Sequence, residues 1–133
     1  MTLHATADSE DLDFVAFLEV VAPDGRSQYL TEGMLRASHR TLGVPPYHYD
    51  GLPFPDSSSA VVAATPPLSA GVSELTFELY PVGAVVPAGS RIRLSIVHID
   101  VGNTATPVLD PAPHVTLHRT GRYPSQLVLP LGG

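Results

Sequence analysis

Asp8, Glu10, Asp11 and Asp13 crowd into one short stretch, and six histidines are spread along the chain. Carboxylates and imidazoles at close range bind metals or move protons, so these residues are the first candidates for chemistry. The acidic stretch has the charge of a calcium loop without its D-x-D-x-D-G spacing, and no bidentate Glu stands at the twelfth place. It reads as the polar approach to a buried strand, with Asp11 or Asp13 bonding the backbone of a bend or pairing with an arginine. Arg36 and Arg40, four apart, are the arginines at hand. A buried carboxylate needs a hydrogen-bonded counter-charge, which predicts an Asp13–Arg36 contact.

Histidine spacing argues the same way. On a strand, His114 and His118 would lie ~13 Å apart on one face, too far to share an ion with bonds of ~2 Å. His98 and Asp100 share a strand face, and His48, in a loop, would be the third group of a metal set. Jelly-roll metal enzymes of the cupin type carry His-x-His followed by Glu, and this chain has no His-x-His. Loop and surface histidines are the expectation, with no metal and no cofactor. Ser73, in "GVSEL", is the nearest approach to the G-x-S-x-G elbow of a serine hydrolase. It lacks the second glycine and leads into a strand, so no catalytic residue is expected. The absence of cysteine excludes thiol nucleophiles, disulfides and thiolate zinc sites. In "PYHYDGLPFP", residues 46 to 55, Tyr47, Tyr49 and Phe54 form a possible ligand loop, since rings on a sandwich stack on sugars or on partner proteins. Without tryptophan, rings folded back onto their own domain are the plainer reading.

The elements that must position these residues are strands. The chain's 133 residues suit a single domain, 1–133, that buries roughly two-thirds of its unfolded surface. A formal net charge of −6, with seven scattered Lys and Arg residues, argues against nucleic acid. No apolar run is long enough to span a membrane. The first ten residues lack the features of a signal peptide, so the cytoplasm is the expected compartment. Eleven glycines and 14 prolines punctuate short runs of Val, Ile, Leu, Phe and Tyr, as in an all-β domain with many turns. Strands are predicted at 14–22, 27–30, 34–40, 60–64, 73–82, 90–100, 114–120 and 125–131, with no helix. Turns fall at Pro23-Asp24-Gly25, Glu32-Gly33 and 86–89, and residues 41–59 form a long irregular loop. The strand at 14–22 is apolar on both faces, the mark of a central position. The spacing of turns predicts a β-sandwich of the jelly-roll kind.

Three pieces in this order resemble one family. "DLDF" with "VAFLEVVAPDGRSQYLTEGMLRASHR", then "ELTFELYPVGAVVPAGSRIRLSI", then "PSQLVLPL" are similar to the C-terminal domain of the X-Pro dipeptidyl-peptidase and cocaine-esterase group of serine hydrolases. The resemblance covers residues 8–131. It implies a galactose-binding-like jelly roll without catalytic residues, partnered by an α/β-hydrolase domain that carries a Ser-Asp-His triad. Asp13, Phe14, Pro23, Gly25, Gly33, Arg36, Gly89, Arg91 and Pro124 match the family pattern, and the resemblance gives them structural roles. Ser90 stands where the family has histidine, and "VHIDVG" replaces its S-S-D-F-P. The family domain begins several strands earlier, which implies that first strands are missing and that an open sheet edge drives homo-oligomerisation. Two other readings stay open: a carbohydrate or small-ligand module using Tyr47 and Tyr49, and a metal-dependent jelly-roll enzyme using His98, Asp100 and His48.

Overall fold

The computed structural model describes residues 1–46, 48, 51–104 and 109–130. Its strands are β1 (Thr2–Ala7), β2 (Asp13–Val21), β3 (Ser27–Arg36), β4 (Ser73–Thr76), β5 (Arg91–Val97) and β6 (Val115–His118). A short helix α1 (Ser59–Ala64) and 3-10 turns at Ala37–His39 and Leu68–Ala70 lie between β3 and β4. The strands form two antiparallel sheets of three, ordered β4-β1-β6 and β3-β2-β5.

The sheets face each other across one apolar core, as an all-β sandwich requires. Leu3, Ala5, Ala7 and Leu75 come from the first sheet, and Phe14, Ala16 and Leu35 from the second. Leu12, Ala37, Leu68 and Phe77 close the cluster from the connections. Period-two alternation explains β1, where Leu3, Ala5 and Ala7 point inward and Thr2, His4 and Thr6 outward. β2 has Val15 and Val21 buried on one face and Phe14, Ala16, Leu18 and Val20 on the other. It takes the central place in its sheet, as its two apolar faces predict. The β2–β3 hairpin turns at Pro23-Asp24-Gly25. Gly25 there adopts φ +88°, and its N–H donates to Ala22 O at 2.9 Å.

Several predicted elements differ. Residues 27–30 and 34–40 are one strand through Arg36, and Glu32-Gly33 is not a turn. Gly33 is needed there because the chain after β4 crosses directly over it. A Cβ at Gly33 would overlap Glu78 O and sit 2.9 Å from Leu79 Cα. This crossing also shortens the strand predicted at 73–82. After Thr76 the chain leaves the first sheet, and Tyr80 N donates to Glu32 O on β3 at 2.8 Å. Thr31 Oγ1 donates to Tyr80 O at 2.7 Å, so the crossing stitches the two sheets along one side. Residues 60–64, predicted as a strand, lie in helix α1. No partner strand pairs them, and the backbone bond Val62 N to Ser58 O at 3.0 Å is satisfied locally. Residues 125–130 form no strand, and residue 131, the last of that predicted strand, lies outside the described residues. Gln126 makes a single bridge to Thr2, and Pro124 one to Arg119. β1 is not among the strands that the sequence predicts.

Candidate functional site

Three of the four acidic side chains in this stretch, those of Asp8, Asp11 and Asp13, are engaged by the fold. Asp11 Oδ1 accepts from the backbone N–H of Leu12 at 3.0 Å and of Ser38 at 2.8 Å. Ser38 Oγ donates to Asp11 Oδ2 at 2.8 Å. Arg36 Nε donates to Asp13 Oδ1 at 3.0 Å, the contact expected from the sequence, and lies 3.6 Å from Asp11 Oδ2. Asp8 Oδ1 accepts from His114 N at 2.7 Å, and its carboxyl is held below the usual range by hydrogen bonds from His114. Glu10 O accepts from Leu68 N at 2.9 Å. All of these links except the Leu12 bond tie residues 8–13 to a neighbouring segment. Arg40 serves elsewhere, donating to Ala37 O and Pro66 O, and burial pulls its pKa below the usual value.

A second polar network lies on the outer face of the β3-β2-β5 sheet. Glu19, the one charge within β2 after its first residue, stands directly opposite Arg93 of β5. Arg93 Nε and Nη2 each donate to a Glu19 oxygen at 2.9 Å, the bidentate geometry that strengthens an ion pair. Ser27 Oγ and Ser95 Oγ donate to the same carboxylate at 2.8 and 2.9 Å. These donors, Arg93 first, hold Glu19 down to about 2 from an ordinary 4.5. The alternation of β2 and β5 put Glu19 and Arg93 on the faces opposite the core, but only the register joined them.

The histidines separate. His98 Nδ1 lies 2.9 Å from Asp13 O, and its ring meets Phe14 edge-on at a centroid distance of 4.7 Å. Asp100 Oδ2 accepts from Asn103 Nδ2 at 2.8 Å in a turn of its own. His48 is exposed in the long loop. Among the described residues no three His, Asp or Glu side chains gather as a metal set. Across the outer face of the other sheet, Glu74, His4 and His118 occupy one cross-strand row. His4 Nε2 lies 3.5 Å from Glu74 Oε2, and His118 Nε2 lies 3.2 Å from Thr6 Oγ1. The Tyr123 ring covers both imidazoles at centroid distances of 5.8 and 5.6 Å. This row is not among the candidate sites above, because residues 2–7 are not among the strands that the sequence predicts.

Ser73 is buried on β4, opposite Ala5 in the ladder. Tyr47 and Tyr49 lie outside the described residues, and Phe54 is half-buried, its carbonyl accepting from Gly43 N at 2.9 Å. Gly89 turns the chain into β5 with φ +82°, and a Cβ there would touch Pro23 Cγ at 3.5 Å, so the turns at Pro23 and Gly89 pack together. Arg91 opens β5 opposite Val21. Concavities open between these elements. A cleft of about 490 Å³ is bounded by Asp13, Arg36, His39 and Ser57. A groove of about 710 Å³, lined by Leu18, Leu30, Tyr80, Val86, Ile92 and Val128, opens beside β5. The groove is apolar, and its rim is exposed at Tyr80, Ile92 and Val128. No helix among the described residues is long and apolar enough to cross a membrane.

The described residues form a two-sheet antiparallel β-sandwich in which Asp8, Asp11, Asp13 and Glu19 are bonded within the domain. The chain belongs to the family described as the X-Pro dipeptidyl-peptidase C-terminal non-catalytic domain, which matches residues 1–128. Two curated relatives, from Mycobacterium bovis (strain ATCC BAA-935 / AF2122/97) and Mycobacterium tuberculosis (strain CDC 1551 / Oshkosh), carry the name of a serine esterase. Each is 37% identical over 133 residues and 98% of this chain. The chain spans 20% of the length of these relatives. No solved structure matches it significantly.

Proposed function

We propose that this chain is the accessory β-sandwich of a serine hydrolase acting on peptide or ester bonds, with the chemistry carried by a separate α/β-hydrolase domain. The observation that carries this reading is the family match over residues 1–128, to a domain described as non-catalytic. Both mycobacterial relatives are five times the length of this chain and carry the name of a serine esterase, which supports a catalytic body outside the matched segment. The family positions fit a scaffold. Asp13 and Arg36 pair at the start of β2, Gly25 and Gly89 form turns, Gly33 admits the crossing chain, and Phe14 fills the core. Pro23 packs at the Gly89 turn, Arg91 opens β5 and Pro124 bridges Arg119. In this reading residues 1–133 act as one unit with the jelly-roll topology of the galactose-binding type, and the domain itself hydrolyses nothing.

Two assays test it. The purified chain, given a p-nitrophenyl ester and an X-Pro p-nitroanilide, is expected to show no turnover above buffer. Turnover lost on Ser73→Ala would overturn the reading. In a chimera, this chain replaces the matching segment of the M. tuberculosis relative. A soluble chimera that keeps esterase activity, where deletion of the segment loses it, is the expected result. A chimera no better than the deletion counts against the accessory role.

A further inference from the structure

β5 is the outermost strand of its sheet and pairs only with β2. Among the described residues no backbone group hydrogen-bonds to its other edge. An open edge is a template for another strand. This one has little of the usual protection. It carries no proline, and the Arg93 guanidinium is drawn back onto its own sheet by Glu19 at 2.9 Å. Its inner row of Ile92, Leu94 and Ile96 runs from the core margin into the apolar groove, where Ile92 is 43% exposed.

We propose that two copies of this chain pair through β5, antiparallel about a two-fold axis at Leu94. The strand selects the partner and the register. β5 runs from Arg91 to Val97, so Leu94 is its midpoint, and only a register centred there pairs the whole strand with itself. On the inner side this sets Ile92 against Ile96 and Leu94 against Leu94. On the outer side it sets Arg93 against Ser95 and Arg91 against Val97, so no arginine opposes an arginine. Moving the centre to Arg93 opposes that residue to itself, and moving it to Ile92 opposes Arg91 to Arg93; like charges directly across a ladder are destabilising. Moving it toward Val97 shortens the overlap. The two three-stranded sheets then become one continuous sheet, and the inner rows of both copies meet beneath the seam. The contact is isologous and closes at two copies, since each β5 has a single open edge.

Sedimentation equilibrium of the unaltered chain from micromolar to millimolar concentration is expected to show a dimer of the 14.1 kDa chain. Position 97 reads the register, because its partner is Arg91 twice per dimer. Val97→Glu is expected to tighten the dimer and Val97→Lys to loosen it, each by about a fewfold to tenfold relative to Val97→Gln. Circular dichroism confirms that each variant is folded, and high salt should collapse the difference. Hydrogen exchange on the unaltered chain gives a second measurement, with amides of 91–97 slowing as concentration rises. A single monomeric species throughout, equal responses to Glu and Lys, or exchange in β5 independent of concentration would each overturn the proposal. None of these outcomes depends on whether the chain supports a hydrolase.

Discussion

At the scale of single residues, the carboxylates of Asp8, Asp11 and Asp13 are engaged in holding segments together. Asp11 is the clearest case, because its carboxylate receives two backbone N–H groups and one hydroxyl within 3.0 Å. Asp11→Ala removes charge-assisted bonds and leaves those donors to find water. It should cost about 1.5–3 kcal/mol by denaturant unfolding. Glu19 makes a prediction in pH. Its folded pKa is depressed from 4.5 to about 2, so its contribution is fully present above pH 4.5 and disappears as pH falls toward 2. Thermal melts of the parent should therefore lose stability over that window. Glu19→Gln should show a shallower loss there, and a variant as steep as the parent would remove Glu19 as a source of the acid sensitivity. Asp13 and Arg36 were legible from chemistry alone, since the sequence offered an acid at a strand start and an arginine on a run close by that could serve as its counter-charge. The bonds from Ser27 and Ser95 to Glu19 were not, because they depend on register across three strands.

At the scale of elements, the crossing of residues 77–80 from one sheet to the other governs how β3 is built. Gly33 lies under that crossing, where any side chain meets Glu78 and Leu79 backbone. Gly33→Ala should therefore destabilise by about 1–3 kcal/mol, the usual range for overpacking, as measured by urea midpoint. Gly25→Ala is the control, because a Cβ there meets nothing within 4 Å and the penalty is confined to its positive φ. From sequence, Glu32-Gly33 looked like a turn because glycine both breaks strands and permits close approach, and composition does not separate the two. Residues 60–64 looked like a strand because "AVVAA" is short and apolar, and periodicity does not separate helix from strand at that length. β1 was readable in principle. Its Leu3, Ala5 and Ala7 alternate with Thr2, His4 and Thr6, but two of the three inward residues are alanines, which carry a weak apolar signal.

At the scale of the whole molecule, the core is shared between the sheets. Leu75 of β4 and Phe14 of β2 belong to one buried cluster. Leu75→Ala should cost about 2–5 kcal/mol through lost burial and a cavity. The loss should appear as a downward shift of one melting transition for the entire chain, with far-UV and near-UV dichroism coinciding. Two separated transitions would show that the sheets fold independently. The same scale decides the exposed surface. Three strands per sheet leave the β5 edge and an apolar groove without cover among the described residues. That surface is where the β5 pairing is proposed.

The sequence by itself determined that this is an all-β sandwich, that it has no thiol chemistry, and that its ordered motifs fit one family. Alternation, turn residues and composition are local properties, and they survive without knowledge of which strand meets which. Only the tertiary structure decided that β3 passes unbroken under a crossing chain, that Glu19 meets Arg93, and that His4 stands between Glu74 and His118. These depend on pairing between segments 45 to 114 residues apart, as from Gly33 to the main-chain groups of 78 and 79 or from His4 to His118. Local preference says nothing about such pairings, because they are chosen by the shape and free energy of the assembled core.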